Sequence, residues 1–314
     1  MATSKSCYGL LNKLEGKWQG QGLTVISLPH FEKKDICSTS PFRFQAFLTK
    51  EKFTFKKIKD PIPDRGRTIS QGKGQEDINM YGLEYKQKVY NRETGELIHK
   101  EKGELLNVPG TKVLPKQGRT ILRMATIFHG NALIAQSKEI SKSNTIPPII
   151  PRIDVTPIGM DDEAKEDLSA PGYLDPIFKD VVLPTSGNKK SSISIKDIKN
   201  PNRLIKKAIK KLVSSKSDEK EENKIKILQT TTISLSTEKP SGGIVNSMYV
   251  RENANTTAVD STLWIVKLRP NTFPCSSSAS SANRWKLFYS QTVILEFDNI
   301  KWPHISVAEL SKVV

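Results

Sequence analysis

The chain has 314 residues and a formal net charge of +16, and 36% of its residues are hydrophobic while 26% are charged. This composition is typical of a globular protein with a sizeable core, and no apolar run reaches the roughly 20 residues that cross a bilayer as a helix. Three widely separated cysteines, Cys7, Cys37 and Cys275, argue against a disulfide framework and a cysteine-rich zinc site, so we expect free thiols.

The N-terminal stretch MATSKSCYGLLNKLEGKW contains no uninterrupted apolar segment of signal-peptide length, so we expect a cytoplasmic protein. The positive charge raises the question of a nucleic-acid partner. Residues 203–226 hold nine Lys or Arg against four Asp or Glu, and the remaining excess is spread along the chain without an arginine-rich cluster or a reader motif. This pattern is more typical of a solvated surface than of specific nucleic-acid recognition.

A short helix is predicted from about Tyr8 to Leu14, followed by a strand that contains Gly16, Gly20 and Gly22. Glycine within a strand usually marks a bend, a bulge or the close approach of another group. Three hairpins follow, each recognised from alternating apolar residues on both sides of a polar turn. They cover 42–58 with a turn near 49–52, 78–108 with a turn at 91–95, and 120–137 with a turn at 128–131.

A long insertion is predicted at 138–225, because Pro, Ser and Asp replace the alternating pattern from about residue 138. Its helix, PNRLIKKAIKKLV, places Ile205, Ile209 and Val213 on one stripe, and Asn202 suits the N-cap. A basic amphipathic helix can also lie on a membrane. Because the stripe is short and lacks aromatic residues, packing on the rest of the protein is the favoured interpretation.

The last third of the sequence returns to strands, at KIKILQTTTISLSTE, GGIVNSMYV, STLWIVKL and RWKLFYSQTVILEF. About ten strands joined as a meander can remove their open edges by closing into a barrel. We therefore predict an all-β fold, an antiparallel up-and-down, calycin-like barrel that forms one domain over residues 1–314. A β-sandwich of the same strands is the alternative, and a barrel of this size can hold one small ligand.

The closing stretch KWPHISVAEL, residues 301–310, alternates like a strand and contains one of only four histidines. With a period of two, Trp302, His304, Ser306 and Ala308 share one face. The face is compatible with a closing strand whose histidine makes an ordinary hydrogen bond or meets solvent. It is also compatible with an imidazole that points into a pocket beside small side chains.

The glycine-rich segment Gly16-x-Trp18-x-Gly20-x-Gly22 and the closing strand resemble the calycin-type barrels of nitrobindin-like heme proteins. More closely, a series of blocks resembles a family described as heme-binding proteins related to peroxidases. The blocks, in the expected order, are IPDRG (62–66), YGLEY (81–85), GELLNVPGT (103–111), RMATIFHG (123–130), GGIVNS (242–247), STLWIVK (261–267) and WPHISVAEL (302–310). Together they extend the resemblance over nearly the whole chain.

The resemblance implies heme as cofactor, with His304 as the axial ligand of the iron. Ser306 and Ala308 would leave room for the ring, while Trp18 and Trp302 would form its walls, although Trp18 also suits a barrel plug. The implied activity is peroxidase-like or related to nitric oxide. The alternative is a metal-free, lipocalin-like carrier of a lipid or another small hydrophobic molecule.

His129 and Arg123 are candidate catalytic residues, because a peroxidase uses a histidine or an arginine to move a proton and polarise a peroxide bond. Beside Gly130 at a turn, His129 is also compatible with an exposed or hydrogen-bonded side chain. His99, flanked by charges, is predicted to lie on the surface, and His30 gives no further signal. No motif of hydrolases, nucleotide-binding proteins or zinc enzymes occurs in the sequence.

Overall fold

The computed structural model describes residues 7–29, 42–66, 74–112, 116–143, 147–167, 173–174, 182–184, 190–213, 225–240, 242–269 and 284–313. The strands, in chain order, are β1 Gly16–Pro29, β2 Phe42–Lys57, β3 Ile62–Asp64, β4 Ile78–Asn91, β5 Leu97–Val108, β6 Thr120–Ile127, β7 Asn131–Ser143, β8 Ile158–Gly159, β9 Tyr173–Leu174, β10 Val182–Pro184, β11 Lys190–Ser192, β12 Ile227–Ser236, β13 Gly243–Asn246, β14 Asn255–Leu268, β15 Arg284–Phe297 and β16 Ile300–Val313. A 3-10 helix spans Gly9–Lys13, and α-helices span Asp162–Asp167, Ile195–Ile198, Asn202–Val213 and Met248–Asn253.

Ten long antiparallel strands form a closed barrel, which confirms the predicted fold class. They follow one another in the order β1, β2, β4, β5, β6, β7, β12, β14, β15 and β16, and β16 pairs with β1 to close the barrel. Closure removes the sheet edges that a meander of this length would otherwise expose. None of the helices in the described ranges is long and apolar enough to cross a bilayer.

The two ends of the barrel differ. The 3-10 helix closes one end with Leu11 and Leu14, both fully buried. At the other end lie the turns that join β4 to β5, β6 to β7 and β15 to β16. We call this second end the mouth.

One wall of the barrel is buried on both faces. The inner core includes Phe53, Tyr289 and Leu310, whereas the outer core joins Val25 and Ile305 to the long segment between β7 and β12. Over residues 305–310 of β16, alternate residues therefore enter different cores, as the period of two in a strand requires.

The helix Asn202–Val213 packs on this outer core through Ile205 and Ile209, so the predicted packing against the barrel is confirmed. Asn202 is its first helical residue and not an N-cap, and its side-chain amide donates to the carbonyl of Pro151 at 3.0 Å. Strand β7 continues to Ser143, so the strand pattern ends later than predicted from the composition.

The predicted hairpin at 42–58 is wrong, because β2 runs unbroken through the polar residues taken for a turn. Thr49 and Glu51 point into the barrel and are fully buried, while Lys50 and Lys52 are exposed. The polar run is thus a strand with a polar inner face. The other two hairpins form with the predicted turns.

The stretch 242–250 was predicted as a strand, but only Gly243–Asn246 pairs with β7 and a helix begins at Met248. Cys7 forms no disulfide with another described residue. His30, Cys37 and Cys275 lie outside the described residues.

Candidate functional site

His304 lies on the inward face of β16, near the mouth. It is opposite Ile26 of β1 and Val293 of β15. Ala308, at the same strand parity, belongs to the inner core, whereas Ile305, at the opposite parity, belongs to the outer core. The parity of Ala308, together with the electrostatic effect of the mouth residues His99 and His129 on the pKa of His304, places the imidazole on the inward side of β16.

The small residues predicted beside His304 share its face. The Ser306 hydroxyl oxygen is 2.8 Å from that of Thr24, and Ala308 is 3% exposed. Trp302 shares the strand parity of His304 but lies nearer the end of β16, where it is 1% exposed, stacks on Phe297 with ring centroids 5.3 Å apart, and joins the outer core. It supports the strand next to His304.

Trp18 lies at the far end of the barrel and not with His304. It pairs with Lys312, eight residues from His304 along β16, which is roughly 27 Å at about 3.4 Å per residue. The Trp18 indole N–H donates to the carbonyl of Leu14 at 2.7 Å. Trp18 therefore anchors the 3-10 helix as a plug, and the structure separates it from the other residues proposed for the cofactor.

The imidazole of His304 stays neutral at physiological pH. Burial lowers the pKa of His304, the nearby imidazoles of His99 and His129 lower it further, and the result is about 4. The described part of the chain supplies no hydrogen-bond partner for this ring. A neutral imidazole of this kind retains a lone pair that can bind a metal.

His99 and His129 form a pair at the mouth, with ring centroids 5.5 Å apart. The prediction that His99 lies on the surface is wrong: its side chain is 22% exposed, and Nε2 is 3.4 Å from the carboxylate of Glu101. Strand parity could have revealed this, because His99 and Glu101 are two residues apart and share the inward face. His129 is exposed at its turn.

Arg123 and His129 are not brought together. Six residues separate them along the chain, roughly 20 Å for an extended strand. Instead the Arg123 guanidinium pairs with Glu101 at 2.6 Å, and its Nε donates to the hydroxyl of Tyr85 at 2.9 Å. The two candidates are connected only indirectly, through Glu101 and His99.

The pKa values of two buried glutamates inside the barrel, Glu101 and Glu51, are shifted in opposite directions. Burial alone would raise the pKa of Glu101, but the charge of Arg123 and the hydrogen bond from His99 outweigh it and lower that pKa to about 2. Burial raises the pKa of Glu51, and the hydrogen bonds from Tyr289 at 2.6 Å and Thr49 at 2.9 Å offset this only in part. Glu101 is therefore a paired carboxylate, whereas Glu51 is buried without a cation bonded to it.

The space between these groups is small. A cavity of about 30 Å³ lies among Phe53, Leu105, Leu235, Arg123 and Gln291, and His304 is not in its lining. Such a volume holds one or two water molecules. This space beside Arg123 is therefore too small for a ligand larger than water.

The protein should lose stability as the pH falls from 7 to 4. The unfolded state binds a proton at His304 near pH 6.5, but the folded state resists it until about pH 4. Because His304 is partly exposed, we expect a loss of about 1–2 kcal/mol from this group. Urea unfolding at several pH values measures this loss, and the free energy of unfolding of His304→Gln should fall less between pH 7 and 4 than that of the wild type. The same pH dependence in both proteins would contradict the prediction.

The sequence matches no protein-family model and no curated protein. Among solved structures, the chain is similar to the crystal structure of Rv2717c from M. tuberculosis, with 12% identity, 97% of this chain and 95% of that chain covered, and a TM-score of 0.40. A likeness this distant says nothing about ligand or activity. The resemblance to heme-binding proteins therefore remains a prediction from the motifs.

Proposed function

We propose that the mouth of the barrel binds heme, with His304 as the axial ligand of the iron. The supporting observation is the inward-facing imidazole of His304, which no described residue engages in a hydrogen bond. Heme needs one such ligand, and the described residues contain no group of three or more His, Cys, Asp or Glu that could hold a bare metal ion. The donor chemistry of the mouth thus fits heme better than a metal ion alone.

Heme would supply an iron that binds a small ligand such as nitric oxide or a peroxide. His304 would hold the cofactor, and the small side chains of Ser306 and Ala308 would leave room beside it for the heme ring. An imidazole such as His99 can accept a proton at the mouth, whereas the guanidinium of Arg123 can only donate and is bonded to Glu101. Glu101 in turn orients the His99 ring. Peroxidase-like or nitric-oxide-related activity is the corresponding reaction class.

A metal-free carrier is less well supported. A lipid tail needs an apolar chamber below the mouth. Here the inner polar groups Glu51, Glu101 and Arg123 occupy the middle of the barrel, and the cavity beside them is only about 30 Å³. Native mass spectrometry of the purified protein would detect a co-purified lipid if this alternative holds.

The heme proposal is tested by titrating the apo protein with hemin and recording the visible spectrum. We expect a Soret shift for the wild type, and a loss of affinity of about 100-fold or more for His304→Ala, since the iron loses its protein ligand. His129→Ala is the matched control, because this histidine is at the mouth but exposed, and it should retain the shift. An unchanged titration for His304→Ala would refute the assignment.

A further inference from the structure

Three consecutive barrel strands carry the same triplet, a lysine on either side of a polar residue. The triplets are Lys50–Lys52 in β2, Lys86–Lys88 in β4 and Lys100–Lys102 in β5. The middle residues, Glu51, Gln87 and Glu101, are buried inside the barrel. The six lysines must then project from the outer wall. We call these six lysines the lysine face.

The pairing register aligns this face into rows. Lys88 lies directly opposite Lys52 on one side and Lys100 on the other, and Lys86 lies opposite Lys102. Like charges directly opposite each other destabilise a sheet. No described acidic side chain forms an ion pair with these lysines. A surface that concentrates positive charge in this way fits an anionic partner.

Exposed apolar side chains lie at the mouth end of the same wall. Leu97 is 48% exposed and Phe128 is 58% exposed, and the Lys100 ammonium lies 4.2 Å from the centre of the Phe128 ring. The neighbouring helix, held to the β6–β7 turn by a hydrogen bond between Ser247 and Gly130, adds Met248 at 74% and Tyr249 at 78%. We call Leu97, Phe128, Met248 and Tyr249 the apolar rim.

We propose that this wall docks the protein on an anionic lipid bilayer, with the apolar rim in the interface and the lysine face at the level of the headgroups. Large apolar side chains beside a basic surface are the two features that bind peripheral proteins to such membranes. Two of the four rim residues, Leu97 and Met248, are not aromatic and cannot stack on bases, which favours a bilayer over a nucleic acid. The orientation would bring the mouth to the bilayer.

The test is co-sedimentation of the apo protein with phosphatidylcholine vesicles, with and without phosphatidylserine. We expect binding only when phosphatidylserine is present, and weaker binding in high salt. Lys86→Glu/Lys88→Glu should weaken it at least about tenfold. Lys206→Glu/Lys211→Glu is the matched control, since it makes the same change of charge on the exposed face of the helix Asn202–Val213, and it should bind like the wild type.

A second variant, Phe128→Ser/Met248→Ser, keeps the charge and removes part of the apolar rim; it should also bind vesicles less. Thermal melts would verify that each variant is folded. Equal losses for the two lysine variants would overturn the proposal in favour of nonspecific charge. Tighter binding to single-stranded RNA than to vesicles would overturn it in favour of nucleic acid. Because no heme is needed, the outcome is independent of the proposed cofactor.

Discussion

Replacement of Glu101 by Gln is expected to lower the free energy of unfolding by about 3–5 kcal/mol, because it removes one partner of a buried ion pair. The Arg123 guanidinium would keep its bonds to Ser261 at 3.1 Å and Gln291 at 2.9 Å but lose the carboxylate that compensates its charge. Neither the new amide nor a water molecule in the neighbouring cavity carries the negative charge that balances the buried guanidinium. Urea unfolding at pH 7 measures the difference.

Glu51→Gln is the matched control, with the same substitution in the corresponding triplet of β2. No cation is bonded to Glu51 and burial raises its pKa, so its negative charge is unfavourable at neutral pH and the substitution should raise the stability. The two effects also differ in their pH dependence. The contribution of Glu101 is present above pH 4.5 and is lost as the pH falls towards 2, whereas the gain from Glu51→Gln disappears as Glu51 protonates in the wild type.

A destabilisation of similar size in both variants would contradict this account, because it would show that both side chains act only through packing. The comparison also concerns the candidate site. Glu101 holds His99 at the mouth, so Glu101→Gln should disturb the mouth while Glu51→Gln leaves it intact.

The closed barrel was predictable because alternation within strands is a local property, visible in runs such as TILRMATI and RWKLFYSQTVILEF. The same alternation placed His304, Ser306 and Ala308 on one face. Alternation could not show which face of β16 points into the barrel, because the strand is covered on both sides and both sets of alternate residues include apolar side chains.

The errors come from polar residues that face inward. Thr49 and Glu51 suggested a turn, and the charges around His99 suggested a surface, because polar residues in a short window usually face water. Their partners, Tyr289 and Arg123, are distant in sequence and become neighbours only when the barrel closes. The repeated Lys-x-Lys triplet was the available signal for both the polar interior and the lysine face.

Closure itself depends on Gly20. A Cβ atom at this position would lie 1.8 Å from the carbonyl oxygen of Glu309 and 2.7 Å from the Cα of Leu310. Both contacts are with the backbone of β16, so no side-chain rotation can relieve them. The glycines of β1 predicted the close approach of another group. That group is the backbone of β16, the strand that carries His304.

Gly20→Ala should therefore lower the free energy of unfolding by about 3 kcal/mol, because β1 and β16 must separate locally to admit one methyl group. Gly118→Ala, where no atom lies within 4 Å of the added Cβ, is the matched control and should change stability by less than about 0.5 kcal/mol. Urea unfolding compares the two. If Gly20→Ala were as stable as the control, the seam between β1 and β16 would have to be looser than described. Because the displaced seam continues to His304, Gly20→Ala should also weaken hemin binding in the titration, whereas Gly118→Ala should not.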